Sequence, residues 1–110
     1  MSKPATLLVA DDDPGLRESL ERTLTREGYR IVLASDGHAA LERLQAGGID
    51  LVLTDLKMPG LTGIEVLRAA KAIAPDVDVI LLTAFGTVEE AVKAMKEGAY
   101  DFLPKPFQRA

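Results

Sequence analysis

Short apolar runs alternate along the chain with longer segments in which apolar residues recur every three or four positions. The short runs are rich in Val, Ile and Leu and predict five strands: Thr6–Ala10, Ile31–Ala34, Leu51–Thr54, Val79–Thr83 and Tyr100–Leu103. The longer segments have helical spacing and predict four helices, marked by Leu16, Leu20 and Leu24; Ala40, Leu41 and Leu44; Ile64, Leu67 and Ala70; and Val88, Val92 and Met95. Strands and helices therefore alternate along the whole chain.

Residues typical of helix ends flank these segments. Asp13 is placed to cap a helix whose first residue is Pro14, and Gly28 is placed to end it. Two further helices are predicted to begin at capping boxes, in which a Thr and a Glu three positions later satisfy amides of the first turn: Thr62 with Glu65, and Thr87 with Glu90. The capping signals agree with the apolar spacing.

The strands are apolar almost throughout, which indicates burial on both faces. Helices between such strands require a parallel sheet with right-handed connections. The predicted fold is therefore α/β, a doubly wound sheet between two layers of helices. In such sheets ligands bind beyond the carboxyl ends of the strands, so functional residues are expected in the loops that follow the strands.

Composition limits the classes of function. The 110 residues, 47% of them hydrophobic, predict one domain over residues 1–110. Seventeen acidic and thirteen basic residues give a net charge of −4 and are mixed along the chain, and there is no Trp, so this domain is not expected to bind nucleic acid. Cys is absent, which excludes thiol chemistry and agrees with a reducing compartment. No run approaches the about 18 apolar residues of a membrane span, and a cytoplasmic protein is expected.

Polar residues stand where the predicted strands end, and they are expected to converge on one edge of the sheet: Asp11, Asp12 and Asp13 after the first strand, Asp55 after the third, Thr83 after the fourth and Lys105 after the fifth. Carboxylates gathered in one pocket repel each other, so either some are protonated or a cation is present. Mg²⁺ fits best, because it prefers oxygen ligands, uses few carboxylates and keeps waters that a phosphoryl oxygen can replace.

Asp55 is the predicted nucleophile of this site. A carboxylate can attack phosphorus to form an acyl phosphate, and such a transfer needs little beyond alignment and charge neutralisation. Mg²⁺ on one side of Asp55 and Lys105 on the other would neutralise the phosphoryl oxygens, and Thr83 would donate a hydrogen bond to another oxygen. Any one of these residues alone would be interpreted as structural, and Asp13 is assigned to helix capping. Their joint placement indicates a site.

Two other features carry no predicted chemistry. His38 is the single histidine and stands at a helix start, so it is interpreted as a surface residue. Gly60 and Gly63 permit a tight turn after Met58-Pro59 but do not form a phosphate-binding glycine loop. Nucleotide binding is therefore not expected.

Four stretches together resemble the receiver domains of bacterial two-component response regulators: residues 8–13 (LVADDD), 53–60 (LTDLKMPG), 82–84 (LTA) and 103–107 (LPKPF). The resemblance implies a flavodoxin-like sheet with strand order 2-1-3-4-5. It also implies that Asp55 accepts a phosphoryl group from a sensor histidine kinase. Asp12, Asp55 and the backbone carbonyl of Lys57 would bind Mg²⁺, which Mn²⁺ can replace, and Asp11 would assist through water.

The same resemblance implies how the phosphoryl group is sensed. Thr83 and Lys105 would contact the phosphoryl oxygens, and the side chain of Phe102 would follow the resulting movement. The packing of the fourth helix and fifth strand would then shift and control an output domain or downstream protein. Residues 83–87 and 91–99 look most like activators that work with sigma-54, so the output is expected to be transcription.

The end of the chain departs from the family pattern. Receiver domains normally have a fifth helix after the segment matching Lys105-Pro106-Phe107, whereas only three residues follow here. The resemblance therefore implies either a domain cut from a longer protein or a face that another chain covers. A C-terminally truncated domain without its fifth helix is favoured, and self-association as a homodimer is the expected consequence.

Two other classes of function compete with the switch. A small Mg²⁺-dependent aspartyl phosphohydrolase would use Asp55 as its nucleophile, but a lid and a substrate pocket are not evident. A flavodoxin-like carrier would need Gly, Ser and Thr after the first strand, where the acidic loop would instead repel a flavin phosphate. The leading hypothesis is a switch that takes up and slowly loses a phosphoryl group and is not an enzyme toward other substrates.

Overall fold

The computed structural model describes residues 4–83 and 88–104, which form a five-stranded parallel sheet with helices on both faces. The strand order is 2-1-3-4-5, as predicted. The elements, in chain order, are β1 (Thr6–Ala10), α1 (Pro14–Arg26), β2 (Arg30–Ala34), α2 (Gly37–Ala46), β3 (Leu51–Asp55), α3 (Gly63–Ile73), β4 (Asp78–Thr83), α4 (Val88–Lys96) and β5 (Asp101–Pro104). The α/β prediction is confirmed, and strand ends differ from the predicted ones by one residue at most.

The main core lies between the sheet and the layer formed by α2, α3 and α4. Alternate residues of the central strands point into this layer, and Leu8, Val52 and Leu81 are fully buried there. They pack with Val66, Leu67 and Ala70, which are the fully buried apolar residues of α3. Helix α3, which follows the loop after β3, therefore packs against the central strands of the sheet.

The opposite face of the sheet, on the side of α1, is less completely covered. Val9 and Leu82 are buried on this face, but Leu53 and Ile80 are only partly buried. Helix α1 itself has no fully buried side chain. The predicted absence of a fifth helix concerns residues 105–110, which lie outside the described part of the chain, and it stays a prediction.

The predicted helix starts are confirmed where the structure describes them. The Asp13 side chain accepts hydrogen bonds from the amides of Gly15 at 2.9 Å and Leu16 at 3.4 Å. Thr62 and Glu65 form the reciprocal capping box, at 3.2 and 2.8 Å. Thr87 lies outside the described residues. The cap of α2 was not predicted, and it is Asp36, whose carboxylate accepts from an amide of the first turn at 2.8 Å.

Helix α4 is confirmed, but two residues of its predicted apolar stripe, Val92 and Met95, do not face the core. Val92 is 46% exposed and Met95 is 47% exposed, whereas Ala94 is fully buried. The reason is position: α4 packs against β5, the edge strand, so only a narrow stripe of the helix meets the sheet. Among residues 4–83 and 88–104, no helix combines the length and the apolar character needed to cross a membrane.

A bidentate ion pair joins α3 to the end of α4. The Arg68 guanidinium donates to the Glu97 carboxylate through Nε at 3.1 Å and Nη2 at 2.7 Å. These hydrogen bonds, together with the positive charge, hold the pKa of Glu97 below its ordinary value. The pair lies at the surface, so its effect on stability is expected to be small.

Glu97→Gln is expected to lower the stability of the protein slightly at neutral pH and to lower it progressively less as the solution becomes more acidic. Because the pKa of Glu97 is lower in the folded state, its contribution is present above the unfolded pKa and is lost as the pH falls through the folded pKa. Urea unfolding of both proteins at neutral pH and at about pH 3 measures this difference. A difference that is unchanged in acid would contradict the assignment.

Candidate functional site

Three carboxylates meet at the carboxyl end of the sheet. Asp11 and Asp12 follow β1, and Asp55 ends β3, the strand paired with β1. One carboxylate oxygen from each lies within 4.8 Å of the others. Asp11 and Asp55 are buried and Asp12 is exposed. The predicted convergence of these carboxylates is therefore confirmed.

Asp11 is held by both its backbone and its side chain. Its amide donates to the carbonyl of Ala34 at 3.1 Å, and its carboxylate accepts from the amide of Asp13 at 2.9 Å. Its carbonyl accepts from Nη1 of Arg17 at 2.6 Å. The acidic loop after β1 is thus tied to β2 on one side and to α1 on the other.

Arg17 is a member of this site that the sequence analysis missed. Its amide donates to the Asp13 carbonyl at 3.0 Å, while its guanidinium reaches back to the Asp11 carbonyl. One signal was available, because an Arg four residues after a capping Asp can direct its long side chain toward the preceding loop. This spacing indicates that the Arg17 side chain can reach the loop, but the atom that it contacts depends on the path of the loop.

Asp55 is positioned by a close contact with the start of α3. The amide of Leu56 donates to the Leu82 carbonyl at 2.8 Å, and the amide of Gly63 donates to the Leu56 carbonyl at 2.8 Å. The Gly63 backbone lies so close to the Asp55 carbonyl that no Cβ fits between them. Gly60 has a φ of +81°, as expected in a turn, but Gly63 is required for this contact.

Gly63→Ala is expected to destabilise the protein by about 1–3 kcal/mol, because its Cβ would overlap Asp55 and lie 2.8 Å from the Leu56 Cα. Both contacts are backbone, so the loop after β3 must shift. Urea unfolding measures the loss. The matched control is Gly15→Ala, whose Cβ would meet an ordinary contact at 3.4 Å and which should not destabilise. Equal stability of the two variants would contradict the proposed steric role.

The structure also describes Thr83, Lys57 and Phe102, the other predicted site residues apart from Lys105. Thr83 is buried at the end of β4, one residue beyond Leu82, the strand partner of Asp55. Lys57 is exposed in the loop after Asp55. Phe102 is partly buried and packs against the main core. Lys105 lies outside the described residues. His38 is exposed, as predicted.

The chemistry of the donor set fits a hard divalent cation. All three clustered side chains offer carboxylate oxygens, which are the ligands that Mg²⁺ and Ca²⁺ prefer. Two of them are buried, so their mutual repulsion is weakly screened, and a cation would relieve it. The described residues therefore supply a site where positive charge is favoured beside a buried carboxylate.

The chain is similar to two bacterial regulatory proteins. "Response regulator MprA" of Mycolicibacterium vanbaalenii is 43% identical over 104 residues, which are 94% of this chain and 45% of that protein. "Transcriptional regulatory protein GlrR" of Escherichia coli K12 is 41% identical over 107 residues, which are 97% of this chain and 24% of that protein. The chain thus spans less than half the length of these relatives.

A solved structure shares the fold closely. It is a response regulator protein from Burkholderia pseudomallei with a phosphorylated aspartic acid, a calcium ion and citrate. It is 29% identical, with a TM-score of 0.89, and the match covers 94% of this chain and 61% of that one. Residues 7–110 match the response regulator receiver domain family. This chain therefore belongs to the response regulator receiver domain family.

Proposed function

We propose that this domain is a phosphorylation-driven switch of a two-component system, with Asp55 as the phosphoryl acceptor. The observation that carries the proposal is the position of Asp55, a buried carboxylate at a central strand end, within 4.8 Å of carboxylate oxygens of Asp11 and Asp12. The phosphorylated aspartic acid of the Burkholderia relative supports it. The donor is a phosphohistidine of a sensor histidine kinase.

The proposed transfer uses an oxygen of Asp55 as the nucleophile. The oxygen forms a bond to phosphorus while the bond from phosphorus to the histidine nitrogen breaks, and the leaving imidazole takes up a proton. Asp12, Asp55 and the carbonyl of Lys57 would hold Mg²⁺ or Mn²⁺, with Asp11 assisting. The ion supplies charge neutralisation at the phosphoryl oxygens. The presence of a calcium ion in the structure of the phosphorylated Burkholderia relative supports a divalent cation as part of the proposal.

The proposed response to phosphorylation passes from the site to α4 and β5. The Thr83 hydroxyl donates to one phosphoryl oxygen, Lys105 pairs with another, and Phe102 repacks in response. New charge-assisted hydrogen bonds then favour the active packing. A change from mostly inactive to mostly active requires about 5 kcal/mol of preference, which several such contacts can supply.

The proposed output surface carries exposed apolar side chains. Val92, Met95 and Tyr100 are 46%, 47% and 64% exposed, and they belong to α4 and the turn before β5. Val92 and Met95 are three positions apart on α4 and so share one face of the helix, and exposed large apolar side chains on one face favour a protein contact. The partner is an output domain or a second copy of this domain. The name of the GlrR relative, a transcriptional regulatory protein, supports transcription as the output. Activation together with sigma-54, in the cytoplasm, is part of the proposal.

The test is phosphorylation of the purified domain by acetyl phosphate, followed by intact mass spectrometry. With Mg²⁺, one phosphoryl group per chain is expected, and hydroxylamine should remove it, as it removes acyl phosphates. With EDTA, no uptake is expected. Uptake that resists hydroxylamine would contradict the proposal, and rapid turnover of many donor molecules per chain would indicate a phosphohydrolase instead.

A further inference from the structure

Arg17 forms hydrogen bonds on both sides of Asp12. Its guanidinium donates to the carbonyl of Asp11 at 2.6 Å, and its amide donates to the carbonyl of Asp13 at 3.0 Å. Asp12 lies between these two anchored carbonyls and is the exposed member of the carboxylate cluster. The amide bond belongs to the first turn of α1 and would be made by any residue at this position, so the restraint that the Arg17 side chain adds is the bond to the Asp11 carbonyl, directly before Asp12.

We infer that Arg17 is a positioning residue for the divalent cation site, which it serves by holding Asp12 toward Asp11 and Asp55. The inference rests on the proposed binding of Mg²⁺ at these carboxylates. Asp11 is fully buried and is already fixed through its amide and its carboxylate. Asp12 has no burial to fix it, so its direction depends on the restrained backbone at either side.

The charge of Arg17 acts in the opposite direction. A guanidinium at the Asp11 carbonyl offsets the repulsion among the three carboxylates, and the same charge repels an incoming cation. Positioning strengthens Mg²⁺ binding, whereas charge repulsion weakens it. The side chain of Arg17 is partly exposed, so solvent screens the repulsion, but solvent does not reduce the geometric restraint. Positioning is therefore the larger effect.

A purely structural role for Arg17 is less consistent with the contacts. Helix α1 already begins with Pro14 and with an Asp13 carboxylate that accepts from two amides. The guanidinium bond adds nothing to the hydrogen bonds within the helix, because its acceptor is Asp11, in the loop. The bond joins the helix to the acidic loop, and the loop is what it restrains.

The experiment is a calorimetric titration of the whole 110-residue chain with Mg²⁺ alone, with thermal unfolding measured in parallel. Arg17→Met should weaken Mg²⁺ binding by about tenfold, as expected when a residue that orients a metal ligand is removed. Arg17→Lys keeps the positive charge and places a hydrogen-bond donor on a shorter side chain, so it should restore part of the affinity. The control Arg22→Met removes the same charge from an exposed position on α1 and should leave the affinity within about twofold.

Phosphorylation kinetics give a second readout. In Arg17→Met the Mg²⁺ concentration for half-maximal acetyl phosphate uptake should rise, while the rate at saturating Mg²⁺ stays close to that of the unchanged protein. Arg17→Gln replaces Arg17→Met if the latter does not fold. An effect on the saturating rate alone would overturn the positioning role.

The possible outcomes separate this inference from the proposed function. Tighter Mg²⁺ binding in Arg17→Met would show that charge repulsion dominates and would overturn the inference. Unchanged binding would also overturn it, even if the unfolding temperature fell. If neither the unchanged protein nor Asp12→Asn binds Mg²⁺, the proposed metal site and the inference fail together. If Asp12→Asn weakens binding and Arg17→Met does not, the inference alone fails.

Discussion

Asp55→Asn is expected to abolish phosphoryl uptake from acetyl phosphate. The amide keeps the shape of the side chain but has no anionic oxygen to attack phosphorus, and one of the three clustered carboxylates is lost. The loss should be complete on the time scale on which the unchanged protein reaches one phosphoryl group per chain. Intact mass measured over a time course with Mg²⁺ gives the result directly.

Two controls make this prediction specific to Asp55. Asp76→Asn makes the same chemical change at an exposed position in the turn between α3 and β4 and should leave uptake unchanged. Circular dichroism should show that both variants are folded. Equal phosphate uptake by Asp55→Asn and the unchanged protein would contradict the assignment of the acceptor.

Leu81→Ala is expected to destabilise the domain by about 2–5 kcal/mol, because a fully buried Leu side chain is replaced by a cavity. Leu81 lies in β4, paired with Thr54 of β3 and Phe102 of β5, and it belongs to the main core. Since small domains have a total stability of about 5–15 kcal/mol, this one change removes a large part of it. Urea unfolding measures the midpoint and the slope.

The control for Leu81 is Val92→Ala on the exposed side of α4. Val92 is 46% exposed, so its truncation should change the free energy of unfolding by at most about 0.5 kcal/mol. Similar losses in the two variants would mean that α4 packs more deeply than described. The pair therefore tests the finding that the apolar spacing of α4 does not mark its buried side.

Local sequence patterns were sufficient for the described elements and for most of their ends. The apolar runs predicted all five strands, and the cap at Asp13 and the capping box at Thr62 and Glu65 lie where predicted. These features depend on residues close together in the chain, so they can be predicted from the chain alone. The cap at Asp36 was missed, although the same chemistry applies to it.

The meeting of Asp11, Asp12 and Asp55 was also predictable, because carboxyl ends of neighbouring parallel strands share one edge. The sequence thus determined the fold class, the order of the elements and the edge that carries the site. The match of residues 7–110 to the receiver domain family agrees with this prediction.

Only the tertiary structure showed how the site is held. The contact of Gly63 with the Asp55 carbonyl and the bond from Arg17 to the Asp11 carbonyl join elements through loops whose paths have no simple periodicity. The burial of Ala94 in place of Val92 likewise depends on α4 meeting an edge strand. Spacing along the chain sets which residues share a face of an element, but the neighbouring element decides which face is buried and which atoms are within reach.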